Sequence, residues 1–169
     1  MRLFTLILAL VSDLHGFTAD KVFRAGAATS NVTPWLGVSM PGGFTDRRAT
    51  KIHDELYARC LVLDDGQPKL AIVVVDNCIL PRDVLDRAKA MAQKTTGIPA
   101  AHMLVSATHT HSGPAAMDIA MCKADPEYQA FLLDALPMAS SAPLPILRRQ
   151  RSVGALVNCP RKSSIAAGT

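Results

Sequence analysis

The stretch that most constrains the fold is "LAIVVVDNCILPRDVLDRAKAMAQKTTGIPAAHMLVSAT", residues 70–108. It opens with an apolar run, 70–75, rich in β-branched side chains, which predicts a strand buried on both faces. Pro81 suits the first turn of a helix, where the amide proton it lacks has no intrahelical partner anyway. Val84, Leu85, Ala88, Met91 and Ala92 then recur at helical spacing and form one apolar stripe. Gly97 is a natural stop, because glycine accepts the left-handed cap. "HMLVSAT" follows as a second short apolar strand. Strand, helix and strand in that order predict a right-handed crossover between parallel strands.

The flanking sequence adds to this unit. In "ELYARCLVLDDGQPKL", Leu56, Ala58, Cys60 and Val62 alternate with Tyr57, Arg59, Leu61 and Leu63, as a strand requires. "DDGQP" is turn chemistry, so this strand and 70–75 form a hairpin. Residues 22–32 hold a further short strand, and Pro34, Gly37, Pro41, Gly42 and Gly43 impose a turn-rich loop after it. "DPEYQAFLLDAL" reads as a second helix, with Asp125 as cap and Pro126 at its first position. The expected fold class is α/β: a mixed sheet with a β-hairpin and one βαβ unit, in an incomplete domain. No internal repeat is present.

Charge excludes one class of partner. The chain has 169 residues and a formal charge of +4. Five basic residues (Arg148, Arg149, Arg151, Arg161, Lys162) and no acidic ones lie in 136–169, leaving 13 basic against 14 acidic side chains in 1–135. The basic balance belongs to the tail and not to a face that binds nucleic acid. That tail has four prolines and no sustained period. Two readings are open for 136–169: a disordered basic tail, or translation out of frame, which the lack of any acidic residue favours.

Residues 1–19 have the order of a signal peptide: Arg2, an apolar run over 3–11, then polar sequence ending on the small residue Ala19. The run is too short to span a bilayer. A secreted or periplasmic protein is therefore expected; a start codon misassigned upstream of the domain is the competing reading. Residues 20–135 form the domain proper. Cys60, Cys78, Cys122 and Cys159 are scattered without a C-x-x-C pair; Cys60 and Cys78 lie in apolar, strand-like runs and read as buried free thiols, with a disulfide open to an exported chain.

Chemistry concentrates in "SATHTHSGP", 106–114, which holds two of the five histidines. The crossover places Asp76 at the carboxyl end of one parallel strand and His109 and His111 at the same end of the other, the edge where ligands gather in open α/β sheets. In extended backbone, residues two apart point the same way, so both imidazoles can face one pocket beside Asp76. Imidazole is the usual nitrogen ligand of zinc, and Thr108, Thr110 and Ser112 are placed to hydrogen-bond the rings. The alternative is a pair of exposed loop histidines. His53 and Asp76 are weaker ligand candidates. Ser106 and Ser112 lack an evident general base and are read as structural. His15 falls in the leader and His102 at a strand start.

"LVSATHTHSGPAA" resembles the signature of the neutral (non-lysosomal) ceramidase family. "AGAATSNVTPWLGVSMPGG" is similar to that family's opening segment, and "IHDELYARCLVLDDGQPKLAIVVVDNCIL" to its next hairpin. The resemblance covers about residues 25–116 and implies the N-terminal part of a zinc-dependent catalytic domain that hydrolyses N-acyl sphingosine to sphingosine and fatty acid. It implies that His109 is a zinc ligand and that His111 lies in the active site as a catalytic residue. The substrate would be a lipid-like amide with its chains in an apolar groove, with peripheral membrane contact and no specific protein partner. In the family the zinc is completed by a second His, a Glu and a Tyr, and a Ser joins the site, all from downstream sequence. The tail here has no His, Glu or Tyr. A truncated piece inactive alone is thus expected. Two alternatives are a remnant that binds metal or lipid without turnover, and a cytosolic binding module.

Overall fold

The computed structural model describes residues 23–43, 45–140 and 148–149. In chain order the elements are β1 (Arg24–Asn31), β2 (Ser39–Met40), β3 (Arg47–Arg48), β4 (Tyr57–Asp64), β5 (Leu70–Val75), α1 (Arg82–Thr96), a 3-10 turn (Ala100–His102), β6 (Met103–Ala107), α2 (Pro126–Ser140) and β7 (Arg148–Arg149). The main sheet runs β6–β5–β4–β1–β7, and β2 with β3 makes a separate two-stranded ribbon. The pair β5–β6 is parallel and the other pairs are antiparallel. The expected hairpin is β4–β5, the expected crossover is β5–α1–β6, and the α/β class stands.

Local chemistry sets the helix ends. Gly97 takes φ 72° and donates its N–H to the Gln93 carbonyl at 3.0 Å, closing α1. Asp125 Oδ1 accepts from the N–H groups of Glu127 at 2.9 Å and Tyr128 at 3.1 Å, satisfying first-turn donors of α2. That helix runs on to Ser140, past residue 136, where the sequence set the tail to begin, and Leu136 is itself part of the core. The leader, Cys159 and the rest of the tail lie outside the described residues.

Both helices pack on one face of the sheet. Ala58, Cys60, Val62, Ala71, Val73 and Val75 meet Val84, Ala88, Ala92, Tyr128 and Leu132 there. Burying each of the larger apolar side chains contributes roughly 1.5–3 kcal/mol. The opposite face departs from the sequence reading. Leu61, Ile72 and Leu104 stand in one row across β4, β5 and β6, with Leu61 40% and Leu104 60% exposed. Strand 70–75 is therefore buried on one face and half-exposed on the other. A continuous apolar run does not distinguish a covered second face from an open one. No helix among the described residues is long and apolar enough to cross a membrane.

Cys60, Cys78 and Cys122 are buried free thiols. Burial pushes the Cys60 thiol up from 9.0 to about 11. Because the folded value is the higher one, this contribution is intact below pH 9 and is lost as pH rises towards 11. The urea midpoint is expected to fall across that window, and to fall less in Cys60→Ala. An identical fall in the variant would assign the alkaline sensitivity elsewhere.

Candidate metal centre

Parallel pairing brings two chain segments to one edge. Val75 lies opposite Ala107, and the Thr108 N–H donates to the Val75 carbonyl at 2.9 Å. Beyond this point the 76–78 turn and the 109–114 loop run side by side. His109 sits at φ 61°, a left-handed conformation uncommon for a side chain with a Cβ. Holding it there costs on the order of 1–3 kcal/mol, which the surrounding contacts must offset. The turn carries the imidazole onto the backbone of Cys78, whose carbonyl accepts from His109 Nδ1 at 2.9 Å. A carbonyl only accepts, so the proton is on Nδ1 and the Nε2 lone pair is free.

His111 stands edge-on to His109, with ring centroids 5.1 Å apart and planes at 71°. The sequence reading joined the two rings through extended alternation; the left-handed residue between the strand end and Thr110 joins them instead. Cys78 completes the group. One donor atom from each of Cys78, His109 and His111 lies within 4.8 Å of the others. Burial, and then the neighbouring Cys122, push the Cys78 thiol up. Two imidazoles and a thiol are zinc's preferred donors, and both rings are exposed, which leaves room for a further ligand. The residues present fit a zinc ion.

Cys78 is the member that sequence reasoning missed. It reads as apolar filler after a buried strand, and no spacing rule links it to residue 109. Gly42 was read only as a turn residue. A Cβ built on Gly42 would lie 2.1 Å from the His111 carbonyl oxygen and 2.5 Å from its Cα. No side chain fits in that space. The Ala115 N–H also donates to the Ser39 carbonyl at 2.8 Å. The glycine-rich loop and β2 are therefore the floor on which the histidine loop rests.

The remaining candidates lie apart from this group. Asp76 Oδ2 accepts from the Tyr57 N–H at 3.0 Å and from Arg59 at 2.6 Å, extending the β4–β5 ladder. His53 is 82% exposed at its side chain and pairs with Asp54 at 2.8 Å; that hydrogen bond, then the carboxylate's charge, raises its pKa. Thr110 Oγ1 accepts from the Ser112 N–H at 3.3 Å, not from a ring. Thr110, Ser112, Asp76 and His53 instead line a cavity of about 700 Å³, whose apolar wall includes Trp35, Leu36, Ile52 and Leu56. His53→Ala and Asp76→Asn are expected to leave zinc affinity within about twofold, a change of under 0.5 kcal/mol. Isothermal titration tests this, and a loss as large as that of a ring of the pair would place a ligand here.

Fold and site together define an α/β sheet domain with a His–Cys candidate centre at the carboxyl edge of its parallel strands. No protein-family model matches the chain, and no curated protein matches it in sequence. Among solved structures it is similar to neutral ceramidase from Pseudomonas aeruginosa, with a TM-score of 0.63 and 22% identity over 71% of this chain and 21% of that one. A ceramidase complexed with C2 matches with a TM-score of 0.58 and 20% identity, over 71% of this chain and 20% of that one. The chain has a ceramidase-like fold and spans about one fifth of the length of those proteins.

Proposed function

We propose that this chain carries part of a ceramidase-like hydrolase site acting on a lipid amide, with zinc held at His109. The supporting observation is the convergence of His109, His111 and Cys78 at the strand edge of a ceramidase-like fold. Zinc bound there supplies Lewis-acid polarisation of a carbonyl and a more acidic water. The chain's own residues do the rest. The Cys78 carbonyl fixes the His109 tautomer and its direction. His111 donates a ring N–H to the oxygen that gains charge as an amide carbonyl is attacked. Trp35, Leu36 and Ile52 on the cavity wall suit an acyl or sphingoid chain, with peripheral contact to the lipid surface that supplies it. The apolar run of 3–11 supports export to a secreted or periplasmic location.

The experiment is fatty-acid release from a short-chain N-acyl sphingosine by the purified chain with zinc, beside His109→Ala. Zinc-dependent release lost in the variant supports the hydrolase. The same donor group beside an apolar-walled cavity suits a second reading, metal and lipid binding without turnover. Saturable binding of the same amide with no release would support that reading instead.

A further inference from the structure

We propose that the turn at Trp35 and Leu36 and the neighbouring segment at Lys51 and Ile52 dock the chain on a lipid surface with anionic headgroups. The inference rests on the lipid-amide reading and deepens it, by naming the face that meets the surface from which the amide is drawn.

The two segments run side by side and are tied at both ends. At one end the ribbon of β2 and β3 continues past its strands. The Gly37 N–H donates to the Ala49 carbonyl at 2.8 Å, and the Ala49 N–H to the Val38 carbonyl at 3.0 Å. At the other end the Val32 N–H donates to the Leu56 carbonyl at 2.8 Å, and the Leu56 N–H to the Thr33 hydroxyl at 2.8 Å. Between these ties the chain displays Trp35, Leu36 and Ile52, which are 42%, 54% and 52% exposed. All three line the cavity that also takes in Thr110 and Ser112 of the histidine loop, and their exposure puts them on its open side. Large apolar side chains gathered in water at one spot mark an interaction surface, and tryptophan among them is typical of a membrane–water boundary.

Charge selects the surface. Lys51, next to Ile52, is exposed and has no ion pair among the described residues. Arg48 donates to the Gly37 carbonyl at 3.2 Å, which sets a guanidinium against the turn that carries Leu36. The acidic side chains nearby are already engaged within the protein. Asp46 meets Arg48 at 3.0 Å and accepts from the Ser39 hydroxyl, Asp54 meets His53 at 2.8 Å, and Glu55 accepts from the Tyr57 hydroxyl. The apolar groups stand on two short loop segments, not on a flat face. They can enter the headgroup layer while the cations stay level with lipid phosphates.

Trp35 is the only tryptophan in the chain, so its fluorescence reports on the proposed contact itself. The test is a titration of the full chain with phosphatidylcholine vesicles, with and without phosphatidylglycerol and free of any sphingolipid. The Trp35 emission should move to the blue and be quenched by lipids brominated on their acyl chains, at lower lipid concentration when phosphatidylglycerol is present. Leu36→Ser and Ile52→Ser should each weaken binding about tenfold, and Lys51→Gln about fivefold on the anionic vesicles alone. Leu104→Ser, on the open face of the sheet, should bind like wild type. An unchanged Trp35 spectrum on both vesicles would overturn the docking surface. It would leave the lipid-amide reading standing, because that reading is tested with a short-chain amide and no vesicle. Loss in Leu104→Ser as large as in Leu36→Ser would assign the contact to the sheet face and overturn the proposal too. Equal binding to the two vesicles would overturn the anionic partner.

Discussion

Tyr128→Ala is expected to lower the stability of the chain by about 3–5 kcal/mol, the range for deleting a buried aromatic side chain. Tyr128 is fully buried in α2 and packs at a tilt against Phe131, with ring centroids 6.1 Å apart. Its hydroxyl donates to the Val32 carbonyl at 3.1 Å and accepts from Asn77 Nδ2 at 3.3 Å. Asn77, also fully buried, accepts the Ile79 N–H through Oδ1 at 3.1 Å. One phenol thus ties a helix, the end of β1 and the turn that precedes Cys78. Burial pushes it far above the usual phenol range, so it stays a neutral donor. A domain of this size has roughly 5–15 kcal/mol in all, so the alanine variant should be largely unfolded in mild denaturant. Tyr128→Phe separates the two contributions. It keeps the ring and strands two buried polar groups, at about 1–3 kcal/mol. Urea unfolding of the three proteins checks this. A phenylalanine variant as stable as wild type would show that the hydroxyl does not tie these elements together.

Gly42→Ala is expected to weaken zinc binding about 10- to 100-fold, the range for disturbing groups that position metal ligands. The new methyl would collide with backbone atoms of His111 at 2.1–2.5 Å, and backbone cannot rotate away as a side chain can. Either the glycine-rich loop or the histidine loop must shift. Gly43→Ala is the matched control. The atoms nearest its Cβ would be the flexible end of Arg47, at 3.2 Å and beyond. Isothermal titration should therefore find Gly43→Ala close to wild type. Equal affinity in all three proteins would show that the loop does not set the position of His111.

The order of strand, helix and strand was legible because each signal is local. Periodicity changes from run to stripe across Pro81, and Gly97 closes the helix where a left-handed residue is needed. The hairpin was legible for the same reason. The pairing of β1 with β4 was not, since it joins segments about 30 residues apart across the turn-rich loop and the β2–β3 ribbon. The open second face was hidden too, because Ile72 and Val74 are as apolar as a fully buried strand would have them. Asp76 illustrates how counting along a strand can mislead. Its position at the sheet edge follows from the crossover, but its backbone still pairs with Tyr57, and its carboxylate turns to Arg59 on the cavity side.

Within the site, the histidine pair was visible as a motif and its convergence was expected. What brings the rings together was not. A left-handed histidine leaves no trace in composition or period, and it replaces the extended geometry that the spacing suggested. Cys78 became legible only through the register that sets Val75 beside Ala107, which carries residues 78 and 109 to neighbouring positions on two separate strand exits.

Zinc content bears most directly on the central claim, that this chain builds a metal centre on His109. Elemental analysis of the purified, zinc-equilibrated chain should find about one equivalent, as a single site on His109 predicts. His109→Ala, changed at an exposed residue, should stay folded by circular dichroism and hold close to none. Equal zinc in the two proteins, or none in the wild type, would contradict the account.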